Sequence, residues 1–281
     1  MKWKHVLRYP FDIQLANKML SIEPDQPAGN QRDWSDTSIG LDLYTDQMLL
    51  DCGRHLACLA ANADAIDSQV VLRCNRLLLA AIAHKLLGPM FLRMPNVRWV
   101  PPSQPLPKRS LVLMDVDRGQ SDRVLTDQRT VAMIIGRDAV DRTLVMPYPM
   151  HPDQITRLDR RTLASLRSQP KAGVFFAGNQ KSRYGRESIG DEFGILSRLE
   201  VLATLRRHYA DRIAPIQSDG VSDRIVLRNS ASDPIDKQDW MPTVASHQFF
   251  LCCPGSSQPV CHNAIEAMAV GAIPIIEYSD R

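Results

Sequence analysis

Apolar residues fall along this chain in two rhythms. Short runs bounded by glycine, proline or polar residues occupy 69–73, 97–100, 111–114, 131–135, 173–178, 249–252 and 273–276, and each predicts a buried strand. Between them, apolar positions recur at helical spacing over 49–61, 76–87, 193–209 and 259–270, and these predict helices. Gly88-Pro89 reads as the stop of the second helix, Pro259 as a first-turn residue of the last, and Gly271 as its left-handed end. Strands alternating with helices predict an α/β chain whose parallel sheets are covered on both faces. Residues 101–107 and 144–152 are proline-rich and extended. The basic stretch with Arg157, Arg160, Arg161, Arg167 and Lys171 reads as a solvated linker helix. The alternation restarts after Met150, so two domains are expected, 1–149 and 150–281.

Composition narrows the class. A chain of 281 residues can bury two cores, and 44% hydrophobic with 23% charged residues is the balance of a globular protein. A net charge of +3 with 6% aromatic residues offers no basic, aromatic-interleaved stripe, so nucleic acid is not the expected partner. No stretch approaches the ~20 apolar residues of a membrane span, and the first residues lack a signal-peptide core, so a cytoplasmic location is expected. The six cysteines form no CxxC pair and no metal-ligand spacing. They read as reduced thiols, with Cys252 and Cys253 as small hydrophobes in a strand, and no metal is expected.

Chemistry concentrates in 249–278, FFLCCPGSSQPVCHNAIEAMAVGAIPIIEY. A buried strand runs into a Pro254-Gly255-Ser256-Ser257 turn and then a helix opening at the strand's carboxyl end. In an open α/β sheet that edge binds ligands, and the free N–H groups of a helix start suit a diphosphate. Glu266 sits inside the helix among small and apolar residues. Either its carboxylate takes the two hydroxyls of a ribose, or it simply faces solvent. His262, four residues earlier on the same face, either contacts a phosphate or pairs with Glu266.

The stretch resembles the donor-site motif of exostosin-type and related GT-B glycosyltransferases. The likeness lies in a strand ending in Cys253-Pro254-Gly255, a polar turn, and a helix carrying Glu266-Ala267 before Gly271, Ile273, Pro274 and Ile275. Pro147-Tyr148-Pro149 followed by 173–178 is similar to the family's domain junction and first strand of its C-terminal domain. The resemblance implies two Rossmann-like domains facing across a cleft, with 1–149 binding the acceptor and 150–281 the nucleotide-sugar donor. Because the family continues past the point matching Arg281, an incomplete C-terminal domain is expected. It further implies Glu266 as the ribose ligand and Gly255, Ser256 and Ser257 as the phosphate turn, with His262 and Asn263 in the first helical turn beside them. Gly178 and the loop after it, with Lys181, Arg183 and Arg186, would stand at the diphosphate, where cations stabilise the leaving nucleotide without a metal. Two positions depart from the pattern: Asn263 stands where many members carry arginine, and Gln258 where retaining relatives carry an acid. The second departure favours inversion.

An inverting transfer needs a base from the first domain. Asp115 and Asp117, after one strand, and Asp138, after another, are the candidates, although an aspartate at a strand end also forms turns. The expected activity is transfer of a sugar from a UDP- or GDP-sugar to a glycan, lipid-linked glycan or other hydroxyl acceptor, as in polysaccharide biosynthesis. It needs no cofactor, and the acceptor class leaves room for peripheral membrane contact. The alternatives are a non-catalytic nucleotide-sugar or glycan-binding protein and a GT-B-fold nucleotide-sugar epimerase.

Overall fold

Among the described residues ten strands form two separate sheets, one of six and one of four, and every pairing between them is parallel. The computed structural model describes residues 3–20, 38–115, 129–134, 143–146, 149–186, 188–214, 224–256, 259 and 261–277. The strands are β1 (Ser38–Asp42), β2 (Gln69–Arg73), β3 (Val97–Val100), β4 (Ser110–Met114), β5 (Arg129–Ile134), β6 (Thr143–Val145), β7 (Val174–Gly178), β8 (Ile225–Asn229), β9 (Phe249–Leu251) and β10 (Ile273–Ile275). The helices are α1 (Trp3–Leu20), α2 (Arg54–Asp64), α3 (Arg76–Ala83), α4 (Gly88–Leu92), α5 (Pro152–Arg157), α6 (Arg160–Arg167), α7 (Ser188–Phe193), α8 (Arg198–His208), α9 (Lys237–Ala245) and α10 (His262–Ala269). The chain divides into two units, Met1–Ile155 and Thr156–Arg281. Among the described residues no helix is long and apolar enough to cross a membrane.

In the first unit the strand order is β3-β2-β1-β4-β5-β6, the order of a Rossmann-type doubly wound sheet. Alternation along β2 explains its continuous apolar run. Val70 and Leu72 enter a core with Ala16, Leu56, Ile82 and Phe91 from the helices, while Val71 enters a second core with Val100, Leu106 and Val112. A strand covered on both faces needs apolar residues at both parities. The second unit repeats the plan with the order β10-β9-β7-β8. Phe176 packs with Leu202 of α8, Leu251 and Cys253. Phe175 meets Trp240 of α9 and Phe250 of β9, with ring centroids 6.3 and 5.9 Å away.

Several expected boundaries move, each for a local reason. The helix predicted from residue 49 begins only at Arg54, because Asp51, Cys52 and Gly53 carry φ of 47°, 61° and 81°, which a right-handed helix cannot continue. Gly88-Pro89 does not stop a helix; α3 has ended at Ala83, and the pair opens α4 with proline in its first turn. Glycine is required at 88, since a Cβ there would lie 1.7 Å from the Ile82 carbonyl oxygen. The helix predicted over 193–209 is cut at Ser197, whose hydroxyl accepts the Glu200 N–H while the Glu200 carboxylate accepts the Ser197 N–H at 2.7 Å. Helix α10 starts at His262 behind an N-cap at Cys261, so Pro259 lies outside its first turn. Gly271 does take the left-handed conformation, at φ 78°.

Candidate functional site

In the four-stranded sheet the chain leaves β7 for β8 on one side and then crosses to β9 on the other. The connections diverge between β7 and β9, and the carboxyl ends of those strands are where an open α/β sheet forms its ligand crevice. Arg198, the first residue of α8, ties the two ends together. Its Nε donates to the Pro254 carbonyl and its Nη1 to the Asn179 carbonyl, both at 3.0 Å. The guanidinium lies 4.0 Å from the Tyr184 ring centroid and 5.9 Å from that of Phe176. Gly178 follows from this packing: a Cβ there would sit 2.8 Å from Phe176 Cζ and 3.3 Å from Arg198 Nη1. Two carbonyls satisfy this buried guanidinium, whose positive charge lies at the head of the crevice.

Across this edge from β7 stands α10, with Gly255 and Ser256 half-buried in the turn before it. His262 and Asn263 occupy its first two positions and are also half-buried. Among the described residues Asn263 Oδ1 is buried without a hydrogen-bond partner, a condition costing about 1–3 kcal/mol until a donor reaches it. Glu266 does not face solvent: it is 1% exposed, and its Oε2 accepts the Trp240 indole N–H at 2.6 Å. Trp240 is itself held by Phe175 and Phe250, so an aromatic cluster orients the carboxylate. The solvated reading of Glu266 therefore falls to its burial.

The loop after β7 carries Lys181, Arg183 and Arg186, all exposed. The Asn179 side chain accepts the Lys181 N–H at 2.9 Å, and Arg183 Nη2 donates to the Tyr184 hydroxyl at 3.0 Å. The loop thus presents cations beside an edge already made positive by Arg198 and the α10 N-terminus.

In the first unit the corresponding divergence lies between β1 and β4. Asp115, just past β4, is 2% exposed. Its Oδ1 accepts the Tyr44 N–H at 2.8 Å, and its Oδ2 accepts both the N–H and the hydroxyl of Thr45 at 2.7 Å. A general base needs a lone pair for the acceptor hydroxyl; the three hydrogen bonds take three of the about four lone-pair sites of the Asp115 carboxylate, so it anchors the turn after β1 and keeps one site over. Next to it Asp42 receives Arg73 Nε at 2.8 Å, Arg73 Nη2 at 2.7 Å and the Tyr44 hydroxyl at 2.8 Å. The β1–β2 register sets Asp42 opposite Arg73, so the pair is a ladder rung closed by charge. Asp117, Asp138 and Ser257 lie outside the described residues. Among the described residues no three His, Cys, Asp or Glu side chains gather to hold a metal ion.

Sequence reading missed Arg198, Trp240 and the place of Cys261. The spacing Ser197-x-x-Glu200 is a capping-box signature and could have located the start of α8, hence Arg198, at the carboxyl edge. Nothing in the local sequence pairs Trp240 with Glu266. Comparison with protein-family models, with curated proteins and with solved structures finds no match to this chain.

Proposed function

We propose that Thr156–Arg281 binds a nucleoside-diphosphate sugar and that the chain is a glycosyltransferase with two Rossmann-like domains facing across a cleft. The observation that carries the reading is the buried, oriented carboxylate of Glu266 on a helix that opens at the β7/β9 divergence. Burying a carboxylate is costly unless donors meet it, and ribose hydroxyls would add to the indole N–H already there. The unpartnered Asn263 Oδ1 offers a further acceptor to a ligand hydroxyl or N–H. The diphosphate would lie against Gly255, Ser256 and the first turn of α10, with Lys181, Arg183 and Arg186 stabilising the charge that develops on the leaving group. Transfer would invert the anomeric centre and proceed without a divalent cation. The acceptor hydroxyl would be deprotonated by a carboxylate of the first unit, Asp115, Asp117 or Asp138, as it attacks opposite the departing diphosphate.

Calorimetric titration with UDP and GDP tests the binding step. Glu266→Gln keeps an acceptor for the Trp240 indole while removing the charge, so the fold is retained. The variant should lose about 1–3 kcal/mol of nucleotide affinity, the cost of a charged hydrogen bond. Equal affinity in a folded variant, or no binding of either nucleotide by the wild type, removes the ribose assignment. Release of free nucleoside diphosphate from a panel of sugar nucleotides, with EDTA present, tests the transfer step. Binding without release would leave a nucleotide-sugar-binding protein instead.

A further inference from the structure

Helix α1 packs on α3 and α4 with one side and leaves an apolar line on the other. Ala16 and Met19 enter the core shared with Leu79 and Ile82 of α3 and Phe91 of α4. On the opposite side Leu7, Phe11 and Leu15 follow one another at intervals of one turn and are 74%, 73% and 39% exposed. Leu86, in the turn between α3 and α4, is 80% exposed as well. It stands two residues past His84, whose Nδ1 lies 3.8 Å from the Asp12 carboxylate of α1. A single exposed leucine is ordinary surface. A helical line of three large apolar residues, with a fourth on the elements packed beside it, is a patch.

Charge gathers in the same place. Residues 3–20 and 76–93, which hold α1, α3 and α4, contain six lysines and arginines and a single acid, a net of +5 in a chain whose total is +3. That acid, Asp12, is 3% exposed and accepts Arg8 Nε at 3.4 Å, so it offers no negative charge to the surface. Arg8, Lys18, Arg76 and Arg93 are all exposed. Lys18 comes three residues after Leu15 and so extends the apolar line, and Arg8 borders it beside Leu7. Leucine and phenylalanine rimmed by cations, with no exposed carboxylate on these elements, is the make-up of a helix that lies in the plane of a lipid surface.

We propose that the outer face of α1 docks the first unit on an anionic lipid bilayer. Leu7, Phe11 and Leu15 enter the boundary between headgroups and acyl chains, and Arg8 and Lys18 meet the lipid phosphates. Charge decides against a second copy of the chain, which would bring these cations against themselves across a two-fold axis; an anionic leaflet is complementary to them. Shape and chemistry decide against nucleic acid, which would meet the cations and leave the phenylalanine and leucines in water. The helix is already held by α3 and α4, so docking spends no binding energy on ordering it. None of this depends on the nucleotide-binding reading of the second unit.

The test sediments the full chain with vesicles of phosphatidylcholine, alone or with about one-third phosphatidylglycerol. The wild type should bind the mixed vesicles roughly tenfold or more tightly than the neutral ones. That preference should fall away between roughly 0.1 and 0.5 M salt, as screening shortens the reach of the lipid charge. The double variant Leu7→Ser, Phe11→Ser alters exposed side chains only, so the fold is retained; its affinity for mixed vesicles should drop roughly tenfold or more. Ile66→Ser, at a position 68% exposed outside these helices, should bind as the wild type does. Phe11→Trp should bind equally well and add an emission that moves to shorter wavelength on the vesicles, which adsorption through charge alone does not produce. No sedimentation with mixed vesicles overturns the proposal. So does a double variant that binds as tightly as the wild type, an equal loss in Ile66→Ser, or an unshifted Phe11→Trp emission. A dimer in size-exclusion chromatography that the double variant dissolves, in a protein that ignores vesicles, gives the face to a second copy instead.

Discussion

His55 shows at the scale of one residue how burial becomes a dependence on pH. It is 2% exposed near the start of α2, and burial lowers its pKa to about 4, against the raising influence of the Asp51 carboxylate. The neutral ring is therefore the folded form. Above the ordinary value of 6.5, folded and unfolded chains are both neutral at this position and its contribution is complete. As the pH falls from 6.5 towards 4, the unfolded chain takes up a proton that the folded chain refuses, and stability is lost across that window. The shift corresponds to a loss on the order of 3 kcal/mol. Urea midpoints at pH 7.5 and 4.5 should fall in the wild type and fall less in His55→Gln; equal falls in the two proteins would remove His55 as the source.

Among the elements, α8 depends most visibly on its cap. Ser197 and Glu200 close the box that lets Arg198 start the helix, so Ser197→Ala should cost about 1 kcal/mol. It should also loosen the bridge between the carbonyls of Asn179 and Pro254, read as faster amide exchange in 179–186; unchanged exchange and stability would show that Arg198 anchors the helix without its cap. The same elements show what could be read beforehand. Strands β2, β4, β7 and β9 are legible because burial on both faces writes a continuous apolar run. Strand β1 is not, because Ser38-Ile39-Gly40-Leu41-Asp42 holds two large apolar residues, yet it lies in the sheet interior between β2 and β4. Helices α1 and α9 contain Pro10 and Pro242, which local propensity reads as interruptions and tertiary packing tolerates. The Cys-Pro-Gly turn and Glu266 were legible as local patterns. Arg198 and Trp240 were not, because their partners are 19 to 56 residues away and only the strand order brings them near.

At the scale of the molecule, each unit has its own sheet and its own cores. Thermal unfolding should accordingly resolve two transitions, and UDP at a hundred times its Kd should raise only that of Thr156–Arg281, by about 2.7 kcal/mol. A single transition that moves as a whole would mean the units unfold as one cooperative body. The wholly parallel sheets have another consequence, one of order in time. None of the described strands can pair with its neighbour through a tight hairpin, and β1 waits 72 residues from Ser38 for its partner Ser110. On the ribosome, β1 and β2 can pair while the other edge of β1 stays open until β4 emerges. Throughout that interval of synthesis the future interior of the first unit is an exposed margin, open to whatever strand or chaperone meets it first.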